Sequence, residues 1–157
     1  MIRNYRDLTR LEMEQVNKDE TIVLIPLGAL EQHGNQAPLG TDDIIAEAMT
    51  DYIRRELEGE PASEDSDFPM LIFPVIPVGL STEHRNFCGS ITLKPDTYYH
   101  MLYDISTSLV HHGFKKLAFL VCHGGNAPIV QVLSRELRSE FGISPFILSS
   151  GAFSHPD

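Results

Sequence analysis

The carboxylate and imidazole side chains around position 30 are of the types that bind divalent metal ions. Glu31 and His33 directly follow an apolar run, and an extended chain there places both on one face, with Gln32 on the other. Glycines and prolines then turn the chain back, so Asp42, at the start of a helical pattern, can return to the same crevice. These residues predict a metal site at the end of a strand.

Two later apolar runs also end in residues that could do chemistry. Glu83 and His84 follow the first run, and the turn His123-Gly-Gly-Asn126 follows the second. Ligands bind beyond the carboxyl ends of strands in an open parallel sheet, so three such endings at one edge favour a shared site over separate structural histidines. Imidazole and carboxylate ligands suit Zn, Mn or Fe(II), and two ions sharing a carboxylate could activate water and polarise an amide carbonyl.

Several of these residues also have simpler interpretations. Cys122 could be a thiol nucleophile beside His123, but adjacent side chains at a strand end diverge, which favours a buried structural thiol. Cys88 is predicted to be packed within its loop. The glycine turn after His123 could bind an anion, although it lacks the Lys and Ser/Thr of a P-loop. Glu83 and His84 could line a substrate pocket, supply a ligand or make only structural hydrogen bonds.

Alternating strands and helices must position these residues. Apolar runs typical of strands cover residues 21–30, 71–80, 116–122 and 144–149, with a short strand at 90–93. Helical patterns cover 9–17, 43–57, 95–112 and 126–141; the last has Asn126 as its cap and a buried side predicted to comprise Ile129, Val132, Leu133, Leu137 and Phe141. This order predicts a single domain over residues 1–157, an α/β fold of three layers (α/β/α) with a largely parallel sheet. Pro74 and Pro77 indicate that the second strand is bent or lies at an edge.

Composition narrows the classes of function. The 157 residues include only 12 Lys and Arg and carry a net charge of −10, so we expect no nucleic-acid partner. No apolar stretch is long enough to span a membrane and the first residues do not form an apolar leader, so we expect a cytoplasmic protein without a membrane partner. Residues 58–69 predict a solvated acidic loop, and His155 a solvated tail.

Three motifs together resemble the creatininase family, and the resemblance covers most of the chain. They are Glu31-Gln32-His33-Gly34 with Pro38-Leu39-Gly40-Thr41-Asp42, Gly79-Leu80-Ser81-Thr82-Glu83-His84 with Gly89-Ser90-Ile91-Thr92-Leu93, and His123-Gly124-Gly125-Asn126. The resemblance implies a creatininase-like fold and a binuclear, metal-dependent amidohydrolase that cleaves a C–N amide bond in a small molecule. The substrate would be a cyclic amide, a formamide or a small peptide, and the protein a homo-oligomer, commonly a hexamer in this family.

The resemblance also implies roles for individual residues. Glu31, Asp42 and His123 would hold one ion, while His33 and a bridging Asp42 would hold the second. The ions would be zinc or manganese, or iron, and a hydroxide bridging them would attack the amide carbon. Glu83 and His84 are the catalytic candidates.

The sequence departs from the family pattern near its last histidine motif. Creatininase has a glutamate ligand two residues after that histidine, where this chain has Gly125, and Cys122 replaces a usual glycine. Relatives with the same glycine turn use a later His-Ala-Gly-Glu segment that this sequence does not contain, so we expect a domain lacking the usual C-terminal part. The alternative function is therefore a non-catalytic, metal-binding regulatory or assembly subunit derived from this family.

Overall fold

The computed structural model describes residues 2–59 and 69–153. Within them, one parallel sheet contains β1 (Ile2–Asn4), β2 (Ile22–Leu27), β3 (Met70–Ile72), β4 (Lys116–Val121) and β5 (Phe146–Ser149). The strand order is β1-β3-β2-β4-β5, and each pair of neighbours is parallel. The predicted α/β class is confirmed. Residues 60–68 of the expected acidic loop, and His155, lie outside the described residues.

Helices cover both faces of the sheet. They are α1 (Arg10–Gln15), α2 (Thr41–Gly59), α3 (Pro95–His111) and α4 (Ala127–Phe141). Alternate residues of β2 point to opposite faces: Val23 and Ile25 pack in one cluster with Leu102 of α3 and Leu133 of α4, whereas Leu24 belongs to a second cluster with residues of α2. The three-layer arrangement is therefore confirmed. None of the helices in the described ranges is long and apolar enough to cross a membrane.

The register of the sheet brings the ends of β2 and β4 together. These two strands are paired from Ile22 with Lys116 to Leu27 with Val121, so they end side by side in the middle of the sheet. The residues that follow them, which include most of the predicted ligands, therefore leave the sheet at the same edge.

The strand predicted at 71–80 is much shorter in the structure. Regular pairing ends at Ile72, and farther along Ile76 donates its N–H to Pro26 O at 3.0 Å and bridges only to Leu27. Pro74 and Pro77 have no N–H to donate, which accounts for the interrupted ladder. Of the two alternatives predicted for this strand, the edge position is excluded, because β3 lies between β1 and β2.

Two other expectations are corrected by the structure. The strand predicted at 90–93 is reduced to one bridge between Leu30 and Ile91. On α4, Val132 and Phe141 were expected on the buried side but are 50% and 38% exposed. Leu133 and Leu137 are buried as predicted, Ile129 is half-buried, and Val130 is buried although it was not predicted.

A capping box begins α1. Thr9 Oγ1 accepts a hydrogen bond from the Glu12 N–H at 3.3 Å, and the Glu12 carboxylate accepts from the Thr9 N–H at 2.8 Å. Arg3 also donates to Glu12 at 2.7 Å. The Thr9 backbone hydrogen bond, followed by the Arg3 contact, lowers the pKa of Glu12 to about 2.

The lowered pKa of Glu12 makes the stability of the fold depend on pH. The carboxylate has a higher pKa, about 4.5, in the unfolded chain, so its contribution is complete above that pH and is lost as the pH falls towards 2. We expect wild type to be more stable than Glu12→Gln at neutral pH, and the difference to shrink over this interval in urea denaturation. A pH-independent difference would contradict this account.

Candidate metal centre

Glu31, Asp42 and His123 meet at the carboxyl edge of the sheet. All three are buried, with exposed fractions of 4%, 5% and 7%. One ligand atom from each lies within 4.8 Å of the others, so the three could hold a metal ion. His33 lies beside them, with Nε2 at 3.4 Å from Asp42 Oδ1 and 3.9 Å from Glu31 Oε1. The structure thus brings the four predicted metal ligands into one cluster.

A backbone hydrogen bond positions Glu31, and the first turn of a helix positions Asp42. Glu31 donates its N–H to Leu39 O at 3.0 Å, which closes the turn between the two ligand segments. The helix α2 begins at Thr41, slightly earlier than predicted, so Asp42 lies in its first turn. The N-terminus of a helix favours a negative charge, which suits an ionised Asp42.

Each of the two histidines in the cluster directs one ring nitrogen at Asp42. His123 Nε2 lies 2.6 Å from Leu80 O, and His33 Nδ1 lies 3.1 Å from Glu31 O. Each of these nitrogens must carry a proton to donate to its carbonyl, so in a neutral ring the other nitrogen has a lone pair. Those nitrogens, His123 Nδ1 and His33 Nε2, lie 3.2 Å from Asp42 Oδ2 and 3.4 Å from Asp42 Oδ1. Metal-binding histidines are commonly held by such carbonyl partners.

One oxygen of each carboxylate in the cluster has no hydrogen-bond donor. Glu31 Oε2 and Asp42 Oδ2 are buried and accept no hydrogen bond. Burying a charged oxygen in this way is costly unless a cation lies nearby. Burial opposes a charge on His123, but its contacts with Asp42, Leu80 O and Glu31 outweigh that effect and raise the pKa of its imidazole. The cluster therefore attracts positive charge, and its oxygen and nitrogen donors fit a borderline divalent ion.

The neighbouring Asp43 is not part of the cluster. Its Oδ1 is buried without a hydrogen-bond partner and lies where a side chain at Gly28 would have to begin, 2.0 Å from an ideal Cβ. Burial raises the pKa of Asp43 to about 6, and the charges of Asp42 and Glu47 add to the effect. Gly28 is thus required for the close approach of α2 to the end of β2.

The two predicted catalytic residues lie in different environments. His84 Nε2 is 3.5 Å from Glu31 Oε1, and His84 Nδ1 is 2.8 Å from Gln32 Nε2. Glu83 is exposed and makes no polar contact with another described residue. The structure therefore brings His84, but not Glu83, to the cluster, and a catalytic role for either stays a prediction.

Asn126 supports the cluster in a way that the sequence did not reveal. Its side chain was predicted to cap α4, but it makes no capping hydrogen bond. It is fully buried instead, with Oδ1 accepting from the Leu80 N–H and Nδ2 donating to Gly28 O, both at 2.9 Å. Because Leu80 O is the acceptor for His123, this side chain holds the residue that orients a predicted ligand.

Gly125 lies at the position where the sequence departs from the family pattern of a glutamate ligand. A Cβ at this residue would lie 2.3 Å from Leu80 O and 2.4 Å from His123 Nε2. The two atoms that form the hydrogen bond between His123 and Leu80 thus occupy the space that any side chain at Gly125 would need. With this backbone, the position cannot supply a ligand.

The two cysteines differ sharply in environment. Cys122 is buried, and burial, together with the charge of Asp42, raises the pKa of its thiol to about 11. The predicted buried structural thiol is therefore confirmed, since such a group holds almost no thiolate at neutral pH. Cys88 was expected to be packed but is exposed.

The difference in exposure between Cys88 and Cys122 predicts selective alkylation of Cys88. With iodoacetamide at about pH 7.5 we expect rapid modification of Cys88 and modification of Cys122 only after denaturation, because thiolate content and access control the rate. Mass spectrometry of proteolytic peptides distinguishes the two sites. Comparable labelling of both cysteines in the native protein would contradict the buried position of Cys122.

Comparison of the sequence with known proteins finds a matching family and several relatives. The family model Creatininase, described as creatinine amidohydrolase, matches residues 6–155. The mycofactocin precursor peptide peptidase of Mycobacterium ulcerans (strain Agy99) is 33% identical over 118 residues, which cover 75% of this chain and 46% of that protein. The chain spans about half the length of the curated relatives it matches.

Comparison with solved structures shows a similar fold. A structure named "Creatininase Mn" has a TM-score of 0.73 at 23% identity, covering 92% of this chain and 57% of the other. A mutant creatininase of "Zn-Zn type" has a TM-score of 0.72 at 24% identity, with coverage of 92% and 57%. These similarities show a shared fold. The family model, which covers nearly all of the sequence, shows that the chain belongs to the creatininase family.

Proposed function

We propose that this chain carries the metal centre of a binuclear amidohydrolase that cleaves a C–N amide bond. Glu31, Asp42 and His123 would hold one divalent ion, and His33 with Asp42 the other. The geometry of Asp42 carries the proposal: its two carboxylate oxygens face ring nitrogens of two different histidines, as expected of a carboxylate that bridges two ions. Zinc and manganese, which the names of two related structures include, are the first candidates, and iron is the third.

The residues of the chain prepare this centre before any ion binds. The carbonyls of Leu80 and Glu31 hold the two imidazoles in the tautomer that can bind metal. Burial of Glu31 and Asp42 keeps water away from the carboxylates, so their attraction for a cation is strong. When bound, two ions would lower the pKa of a coordinated water and polarise the carbonyl of the substrate.

The substrate class is proposed from the names of the relatives. The matching family model is described as creatinine amidohydrolase, and the relative from Mycobacterium ulcerans is named a peptide peptidase. We therefore include cyclic amides, formamides and small peptides among the candidate substrates. Creatininase-family membership alone does not favour a non-peptide C–N bond over a peptide bond.

We also propose that the protein is a cytoplasmic homo-oligomer. At the β5 side of the sheet, Phe146 and Ile147 are 58% and 40% exposed. A strand edge with exposed apolar side chains is readily covered by a second chain, which supports self-association.

A metal-binding subunit without catalytic activity is the second candidate. The observation that favours it is the crowded backbone at Gly125, which leaves His33 and Asp42 as the proposed protein ligands of the second ion. An ion with two protein ligands would bind more weakly than one with three. Such a chain could hold a single ion tightly and serve in regulation or assembly.

Metal content and turnover together distinguish the two candidates. The protein would be purified without chelator, its metal measured by elemental analysis, and creatinine, formamides and short peptides offered with added Mn²⁺ or Zn²⁺. For the amidohydrolase we expect about two ions per chain, with turnover that chelation removes and metal restores. One tightly held ion without turnover supports the second candidate, and no bound metal contradicts both.

A further inference from the structure

The orientation of the Gln32 side chain can be assigned from its hydrogen bonds. The Gly34 N–H donates to Gln32 Oε1 at 3.0 Å. Gly34 has a φ of 76°, a left-handed conformation that glycine adopts readily, so the turn is suited to this contact. A backbone N–H can only donate, so the atom facing it must be the amide oxygen. The amide NH2 of Gln32 is therefore the group that faces His84.

The Gln32 amide in turn determines the tautomer of His84. The NH2 group lies 2.8 Å from His84 Nδ1, so this ring nitrogen accepts a hydrogen bond. A neutral imidazole has one donor and one acceptor nitrogen, which places the proton of His84 on Nε2. If the proton were on Nδ1, two N–H groups would oppose each other at this short distance.

The proton on His84 Nε2 faces one oxygen of Glu31. The distance from Nε2 to Glu31 Oε1 is 3.5 Å, and His33 Nε2 approaches the same oxygen at 3.9 Å. The other oxygen, Oε2, is buried without a hydrogen bond and lies 3.4 Å from His123 Nε2. The two oxygens of Glu31 therefore have different partners.

We propose that His84 is a positioning residue rather than a metal ligand. It donates Nε2–H to Glu31 Oε1, which orients the carboxylate and leaves Oε2 for the ion, while Gln32 and Gly34 keep the His84 proton on the correct nitrogen. This inference rests on the proposed metal centre and deepens it. It decides between the alternatives of ligand and hydrogen-bond donor that the sequence left open for His84.

The tautomer of His84 is measurable by NMR of ¹⁵N-labelled imidazoles, in the metal-free protein and with Zn²⁺. We expect a proton on Nε2 in both states, and in the Gln32→Met variant a shift of population towards Nδ1–H. Coordination of Zn²⁺ by His84, or an Nδ1–H tautomer in the wild type, would overturn the proposal. The metal-free measurement decides the tautomer even if the wild type binds no metal, a result that would instead refute the proposed function.

Metal affinity provides a second, independent readout. Loss of an outer hydrogen-bond partner typically weakens metal binding about 10- to 100-fold, so we expect His84→Leu to raise the Kd for Mn²⁺ at least about tenfold. His84→Gln can place an amide NH2 near the position of Nε2 and should stay within about threefold of wild type. His112→Leu, on an exposed residue, is the matched control. An unchanged Kd in His84→Leu, or equal losses in the Leu and Gln variants, would overturn the positioning role.

Discussion

Replacing Asp42 by alanine is expected to abolish the binding of both metal ions and, with it, hydrolytic activity. Asp42 is the residue whose two oxygens face His123 and His33 separately, so its loss affects both proposed ion positions. Structural zinc sites bind with about 10–16 kcal/mol in total, so one ligand in four accounts for roughly 3 kcal/mol, or at least about a hundredfold in Kd. Metal per chain, measured after dialysis, should fall from about two to near zero.

Replacing the charged Asp42 side chain by a neutral one of the same shape should not destabilise the metal-free protein. Asp42 Oδ2 is buried without a hydrogen bond, so removing the charge relieves an electrostatic cost. We expect metal-free Asp42→Asn, which keeps the side-chain shape, to unfold at a temperature equal to or above that of the metal-free wild type. Asp51→Ala, on the exposed part of α2, should change neither metal content nor stability appreciably. Two ions retained by Asp42→Ala would refute the bridging role.

Replacing Asn126 by alanine is expected to destabilise the fold severely. The substitution would leave the Leu80 N–H and the Gly28 carbonyl buried without partners. Each unsatisfied group costs about 1–3 kcal/mol, so we expect a loss of about 2–6 kcal/mol in the free energy of unfolding. Urea denaturation of the metal-free protein measures this loss without any contribution from bound ions.

Asn126→Asp tests which of the two hydrogen bonds matters. Aspartate retains the acceptor for Leu80 but presents a second oxygen to Gly28 O, so we expect it to be destabilising as well. Asn17→Ala, on an exposed residue, is the matched control and should cost little. A change below about 1 kcal/mol in the free energy of unfolding of Asn126→Ala would show that the two hydrogen bonds of this side chain do not stabilise the fold.

The parts of the site carried by strand ends could be predicted from sequence. Strong apolar runs located β2 and β4, and a parallel sheet brings their carboxyl ends to one edge. Glu31 and His123 could therefore be placed together before any coordinates were known. Asp42 followed from the turn and the helical pattern after it.

Short strands and inward-facing polar side chains could not be predicted in the same way. With only three residues, β1 is too short to show an apolar period, and it forms because β3 offers it a neighbouring edge. Asn126 precedes a helix, where asparagine is usually a cap, and its buried hydrogen bonds reach Gly28, 98 positions away. Contacts at that range leave no local pattern in the sequence.

The parallel topology also decides when the metal centre can form. Every neighbouring pair of strands in the described sheet is parallel, and the hydrogen bond between Asn126 and Gly28 closes a loop of 98 positions. Closing long loops costs chain entropy before packing compensates for it, so such contacts form late and slowly during folding. A site built from them does not guide the chain to its fold. The site can therefore hold an ion only after β2 and β4 have come together.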